Sequence, residues 1–175
     1  KHEDIQWRNP MTDEDFIAFV KKECKHYGVK LSLRDSLYCR YGGINMSGGF
    51  DDGNRILVCA KRADGFIGIL AHEYCHMMQW AEKSPLWVKC GEERSYEAWN
   101  KHLCGEKVEM SAHFENMRDL ELDNEKRTVA IIKKLKLDID IEFYIKKANA
   151  YIMFYNYMKI TGLWAKPGNT PYSNE

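Results

Sequence analysis

Three residues of this chain have the types and the spacing to carry out chemistry together. Residues 72–76 read HEYCH, which is the pattern H-E-x-x-H. On an α-helix, side chains four positions apart share a face, so the imidazoles of His72 and His76 can reach one zinc ion. Glu73 lies about a quarter-turn away, where its carboxylate can hold a water molecule and take its proton. The spacing therefore predicts Zn²⁺ on the two histidines and Glu73 as the catalytic general base.

The residues around the motif predict that its helix is buried. Apolar side chains flank it on nearly every side, namely Phe66, Ile67, Ile69, Leu70, Ala71, Met77, Met78 and Trp80. Two histidines and a glutamate in such surroundings need a strong partner, and a metal ion is one. The alternative is a core helix whose histidines are hydrogen-bonded within the protein.

A catalytic zinc ion takes three protein ligands and leaves one position to water. The metzincin pattern would need a glycine at position 79 and a histidine at position 82, but the chain has Gln79 and Glu82 there. That class is therefore disfavoured. His102 and His113 remain possible third ligands.

A later helix offers a better third ligand. At 100° per residue, an apolar stripe forms there with Glu121 at its centre and Glu125 at its edge. The stripe consists of Met110, Phe114, Met117, Thr128, Ile132 and Leu135. We predict that Glu121 is the third ligand and that Glu125 accepts a hydrogen bond from a ligand histidine. The alternatives are the reverse assignment, with Glu125 on the metal, and a partly solvated face on which Glu121 pairs with Arg118.

The pattern of HEYCH followed by Glu121-x-x-x-Glu125 resembles the gluzincins, the thermolysin-like zinc peptidases. Their third ligand is a Glu on a later helix, and an acid four residues on orients a ligand His. Here that acid is Glu rather than the more usual Asp. The run GFDDGNRILV at 49–58 also resembles the small ImmA/IrrE-type peptidases of bacteria and mobile elements. The gap from His76 to Glu121 is long, and the Glu-x-Glu-Ala-Asn run of those peptidases here reads ELDNE.

This resemblance implies a minimal zincin-like fold, Zn²⁺ as cofactor, and a protein or peptide substrate. In zincins an edge strand beside the active helix pairs with the extended substrate. By resemblance that strand would be 55–60, with Arg55, Leu57 and Cys59 as substrate-binding residues. The alternative is an ordinary interior strand.

The oxyanion that forms in peptide hydrolysis needs a donor beyond the metal. On the last helix, Tyr144, Tyr151 and Tyr155 share one stripe, so Tyr155 or Tyr151 could donate a hydrogen bond to it. The alternative is that the stripe packs in the core.

The order of elements that must position these residues predicts an α+β fold. We expect an N-terminal helix, a small sheet of short strands, the buried motif helix and two long C-terminal helices. The expected helices are 13–27, 65–82, 111–137 and 141–160, the strands are 29–33 and 55–60, and the stretch 84–105 is loop-like with a short helix near 92–102. We expect one domain over 1–165 and a flexible tail over 166–175.

Composition limits the partners. The chain has 175 residues, 45% of them hydrophobic, and a formal charge of zero. We therefore expect no nucleic-acid or membrane partner. The charged N-terminus shows no signal peptide, and none of the six cysteines forms a C-x-x-C pair. This favours a cytoplasmic protein with buried free thiols, and the alternative is a secreted protein with three disulfides.

These patterns favour a zinc peptidase over a zincin-fold binding module without proteolytic turnover. A purely structural metal site has no use for Glu73. A third hypothesis, suggested by the resemblance alone, is a protein that regulates DNA-bound partners through peptidase chemistry on a repressor.

Overall fold

The computed structural model describes residues 9–41 and 44–161. The described residues form six helices and five short strands, in the order helix, strands, helices. This confirms the predicted α+β class. The predicted tail 166–175 lies outside the described residues. Within the part of the chain that is described, no helix combines the length and the apolarity needed to cross a bilayer.

Contacts divide the chain into two compact units. The first unit comprises the chain up to Ala81 together with Arg127–Ile141, and the second comprises Glu82–Lys126 and the chain from Glu142 onward. The prediction of one domain over 1–165 stays a prediction.

The first helix, α1 (Asp13–His26), follows its local signals. The Oγ of Thr12 accepts a hydrogen bond from the backbone N–H of Asp15 at 3.1 Å, and acidic residues occupy the first turn. Both features stabilise a helix N-terminus. Gly28, at a φ of +67°, follows the helix in a conformation that favours glycine.

A three-stranded sheet lies at the centre of the first unit, in the order β1 (Lys30–Arg34), β5 (Ile56–Ala60), β4 (Gly48–Asp51). β1 runs parallel to β5, and β4 runs antiparallel to it with Phe50 opposite Leu57. β2 (Cys39–Tyr41) and β3 (Ile44–Met46) form a separate antiparallel pair.

The sheet order corrects one prediction. Residues 55–60, with Arg55, Leu57 and Cys59, were expected to form the edge strand, but β5 is the central strand. The physical reason is burial, because every residue from Leu57 to Ala60 is buried. A strand buried on both faces is typical of an interior position with a neighbour on each side. The edge strand that contacts the motif helix is β4.

The motif helix is α2 (Phe66–Ala81), close to the predicted 65–82. Gly65, at a φ of +70°, precedes it. In the stretch 84–105, the short helix expected near 92–102 is confirmed as α4 (Ser95–Leu103). The expectation that the rest is loop was wrong, because it also contains α3 (Pro85–Glu92). Ser84 caps α3, with its Oγ accepting from the N–H of Trp87 at 3.3 Å. Pro85 starts the helix, since a proline at the first helical position loses no hydrogen bond.

The two long helices are α5 (Ser111–Leu135) and α6 (Ile141–Thr161), near their predicted bounds. In the second unit, α4, α5 and α6 meet in a core of Ala98, Met110, Phe114, Met117, Tyr155 and Met158. Burial of these side chains is the main driving force for holding the three helices together.

Candidate metal site

Helix α2 brings His72 and His76 together. Their ring centroids are 4.8 Å apart and their planes lie at 84° to each other. His76 is buried and His72 is half-buried. The four-residue spacing produces this arrangement, because it places both rings on one face of the helix. Two imidazoles so close can bind one ion.

Glu73, next to His72, is 8% exposed and lies against the edge strand β4. A Cβ on Gly48 would be 2.9 Å from the Cγ of Glu73 and 2.8 Å from the Cγ2 of Ile69. Real Cβ atoms do not come so close, so only a glycine at position 48 allows β4 to approach the carboxylate side chain at this distance. The backbone of an edge strand is thus directly beside the predicted general base.

Gln79 holds His76 in place. Its side-chain oxygen Oε1 lies 2.9 Å from the Nδ1 of His76, and Gln79 itself is fully buried. With its proton on Nδ1, His76 donates to this amide and presents its Nε2 lone pair to a metal. Sequence reasoning missed this role. The available signal was a polar residue among the apolar residues that follow His76 on the helix, three positions after it.

Glu121, on α5, is the predicted third ligand. The ligand atoms of His72, His76 and Glu121 all lie within 4.8 Å of one another. Glu121 is 7% exposed. Two imidazole nitrogens and one carboxylate oxygen form a ligand set typical of catalytic zinc sites. The residues present therefore fit a zinc ion.

Glu125, one turn after Glu121, accepts a hydrogen bond from the Tyr144 hydroxyl at 2.8 Å and is buried. The metal group found among the described residues does not include it. The expectation that Glu125 accepts from a ligand histidine stays a prediction. For His76, the acceptor at Nδ1 is Gln79.

The two alternative histidines lie in other surroundings. The Nδ1 of His113 is 3.1 Å from the Oγ of Ser95. The His102 ring packs edge-on against Phe114, with centroids 5.5 Å apart. Neither belongs to the metal group found among the described residues.

The two candidate oxyanion donors lie next to each other on α6. The hydroxyls of Tyr151 and Tyr155 are 2.9 Å apart. Tyr155 is only 2% exposed, and its ring stacks on Trp99 with centroids 5.4 Å apart. Both belong to the core of the second unit or pack against it. The structure thus shows their packing role, and donation to an oxyanion stays a prediction.

The cysteines are free thiols, as expected, and all but Cys104 are buried. Burial raises the pKa of Cys24 to about 11 and that of Cys90 to about 12. Burial, and then the charge of Glu73, raise the pKa of Cys59 further. None of the cysteines belongs to the metal group found among the described residues.

An aromatic pair lies where α2 ends and β4 runs past it. The rings of Phe50 and Trp80 are 5.6 Å apart, and the guanidinium of Arg55 lies 5.9 Å from the Trp80 centroid. Phe50 and Trp80 are half-buried, and Arg55 is exposed. They form a partly exposed wall one turn beyond His76.

Comparison of the chain with protein-family models, curated proteins and solved structures finds no match in any of the three.

Proposed function

We propose that this protein is a zinc-dependent peptidase with a minimal zincin-like fold. The observation that carries the proposal is the H-E-x-x-H motif on the buried helix α2, with the ligand atoms of His72 and His76 close to that of Glu121. The resemblance of residues 48–82 to the ImmA/IrrE-type peptidases supports the same conclusion.

His72, His76 and Glu121 would hold the ion. Bound zinc lowers the pKa of water to about 7, so a nucleophile is available at neutral pH. Gln79 would fix the tautomer and the ring orientation of His76 through Nδ1. With a carboxylate as the third ligand, the zinc site would carry a smaller net positive charge than with three neutral histidines.

Glu73 would carry the proton. Its carboxylate accepts a proton from the attacking water and then donates it to the nitrogen of the leaving amine. Glu73 lies next to the ligand His72 but does not belong to the metal group found among the described residues. A catalytic role is the simplest explanation for a carboxylate at this position. Burial against β4 keeps the side chain ordered.

The edge strand β4 would bind the substrate. The backbone of an edge strand can pair with an extended peptide. Gly48 and Gly49 lie on this strand, and Gly48 contacts Glu73. A peptide paired with β4 would therefore run past the general base, which favours peptide bonds over small esters as the substrate class.

The test compares Glu73→Gln with His76→Ala in the zinc-loaded protein. Activity is measured by mass spectrometry on a mixture of peptides, and zinc is measured by elemental analysis. We expect Glu73→Gln to keep zinc and lose at least about a hundredfold in cleavage rate, since general-base catalysis contributes that much. His76→Ala should lose both zinc and activity.

A matched control is Glu97→Gln, the same change at a glutamate of α4 whose side chain is 42% exposed. It should change neither quantity. Wild-type cleavage that survives Glu73→Gln would refute the mechanism. A zinc-edge anomalous map showing four protein ligands would instead identify a structural metal and favour the binding module.

A further inference from the structure

The hydrogen bonds of the central sheet determine which backbone groups of β4 point to its outer edge. Ala60 donates its backbone N–H to the carbonyl of Ser47 at 2.8 Å. The antiparallel register then places Gly48 opposite Cys59. In an antiparallel pair, residues that bond across the pair alternate with residues that do not. The N–H and C=O groups of Gly48 and Phe50 therefore point away from β5, towards the outer edge.

The side-chain directions of the same two positions face helix α2. A Cβ on Gly48 would be 2.9 Å from the Cγ of Glu73. The ring centroid of Phe50 lies 5.6 Å from that of Trp80. Trp80 follows Glu73 by seven residues, which is about two turns on one side of the helix. β4 thus runs along α2 in the same direction, from the predicted general base towards the Phe50–Trp80 pair.

An extended peptide on this edge would hydrogen-bond to Gly48 and Phe50, and the two peptide residues opposite them would be two positions apart. Residues opposite each other in a sheet share a face, so both of these peptide side chains would point towards α2. Antiparallel pairing is the more stable direction per residue. In that direction the N-terminal part of the peptide lies at Phe50, and the chain then continues to Gly48.

The cleaved bond follows from this register. The peptide residue opposite Gly48 donates its N–H to the strand, and its own carbonyl is directed at the strand and not at the metal ligands. The carbonyl of the preceding residue points away from β4. The peptide bond between these two residues adjoins Gly48, and so lies closest to Glu73. It is the bond that the metal-bound water can attack.

We infer that the Phe50–Trp80 pair binds a large apolar side chain of the substrate, at the second residue on the N-terminal side of the cleaved bond. The inference rests on the proposed function for the position of that bond. Both rings are half-buried, so each keeps apolar surface that a substrate side chain can cover. The Arg55 guanidinium, 5.9 Å from the Trp80 centroid, holds the indole by a cation–π contact. Selectivity is concentrated at Phe50, because Gly48 offers no side chain.

The test uses two fluorescently labelled short peptides of alanine and serine that differ at one position, where one has leucine and the other has serine. Mass spectrometry of the products formed by the zinc-loaded wild type locates each cleaved bond. We expect the cleaved bond to follow the residue after the leucine. The kcat/KM should be at least about tenfold higher for the leucine peptide, because burial of a leucine side chain contributes at least that factor.

Phe50→Ala should bring the ratio of kcat/KM between the two peptides close to one. The matched control is Phe19→Ala, since Phe19 is also half-buried and packs on Tyr74 of α2, with centroids 5.5 Å apart. It should keep the wild-type ratio. A wild type that cleaves both peptides equally, or cleaves on the N-terminal side of the leucine, would overturn the inference and leave the peptidase standing. This profile needs no variant, so it decides even where Phe50→Ala does not fold.

A binding measurement separates the inference from the proposed function. Fluorescence anisotropy with zinc-loaded Glu73→Gln gives the affinity for each labelled peptide without cleavage. We expect at least about tenfold tighter binding of the leucine peptide, and Phe50→Ala in the same background should remove the difference. This binding pattern, with no cleavage by the wild type, would refute the peptidase and support the Phe50–Trp80 pair as a peptide-binding surface. Equal affinities for the two peptides would overturn the inference.

Discussion

The described residues include two polar clusters that contain histidine, and the clusters differ in the groups that the histidines contact. The α2 cluster consists of His72, Glu73, His76 and Gln79. The Ser95 cluster consists of Glu93, Ser95, His113 and Asn116. Both contain groups that are buried or nearly so.

In the Ser95 cluster, the polar groups bond to one another. The Oγ of Ser95 lies 3.1 Å from both the Nδ1 of His113 and the Nδ2 of Asn116, which also donates to Glu93. Such mutual bonding joins the start of α4 to α5. It is the arrangement of a histidine with a structural role.

In the α2 cluster, the ligand atoms of two histidines lie within 4.8 Å of each other and of the Glu121 carboxylate. Residue type alone does not distinguish the two clusters. Sequence spacing distinguishes them, because two histidines four residues apart on one helix bring their imidazoles together. His113 has no histidine four residues before or after it. Four predictions test this distinction.

The largest effect should come from zinc. Zinc at a thousand times its dissociation constant should stabilise the folded chain by about 4 kcal/mol. His76→Ala should remove this zinc-dependent rise in melting temperature, while His113→Ala should keep it. Thermal unfolding with zinc and with a chelator measures both. A rise that His113→Ala abolishes would contradict the distinction between the clusters.

The next effect concerns Gln79. Gln79→Leu removes the acceptor at the Nδ1 of His76 and should weaken zinc binding by about 10- to 100-fold. Gln79→Glu keeps an acceptor at the same position and should retain most of the affinity. Competition with a chromophoric chelator gives both constants. If Gln79→Leu binds zinc as tightly as the wild type, Gln79 does not orient the ligand.

Gly48 tests the contact between β4 and Glu73. In Gly48→Ala the new methyl group would overlap Ile69 and Glu73, which should cost about 2 kcal/mol of folding free energy and displace the carboxylate. The control is Gly91→Ala in α3, where a Cβ meets nothing within 4 Å. That variant should be neutral or slightly stabilised, since alanine favours a helix. Urea unfolding measures the free energy of unfolding of both variants. If Gly48→Ala is as stable as Gly91→Ala, the close contact of Gly48 with Glu73 is refuted.

The smallest effect should come from the Ser95 cluster. Ser95→Ala removes a hydroxyl that serves His113 and Asn116, and should destabilise the fold by about 1 kcal/mol. Zinc affinity should stay at the wild-type value. Measuring both quantities on one sample separates a structural cluster from a functional one. A loss of zinc affinity would show that the clusters are coupled.

Local signals in the sequence determined much of this protein. The predicted bounds of α1, α5 and α6 lie within a few residues of the observed helix ends. The H-E-x-x-H spacing placed two imidazoles on one helix face without any knowledge of the fold. These features depend on groups within about one helical turn of each other, so neighbouring residues are sufficient to specify them.

The tertiary structure decided what depends on distant parts of the chain. It placed β5 between β1 and β4, paired Gly48 with Glu73, and brought the Glu121 carboxylate close to the two histidines. The sequence of an apolar strand does not indicate whether the strand lies at the centre of a sheet or at its edge, because strand order is set by pairing between segments far apart in sequence.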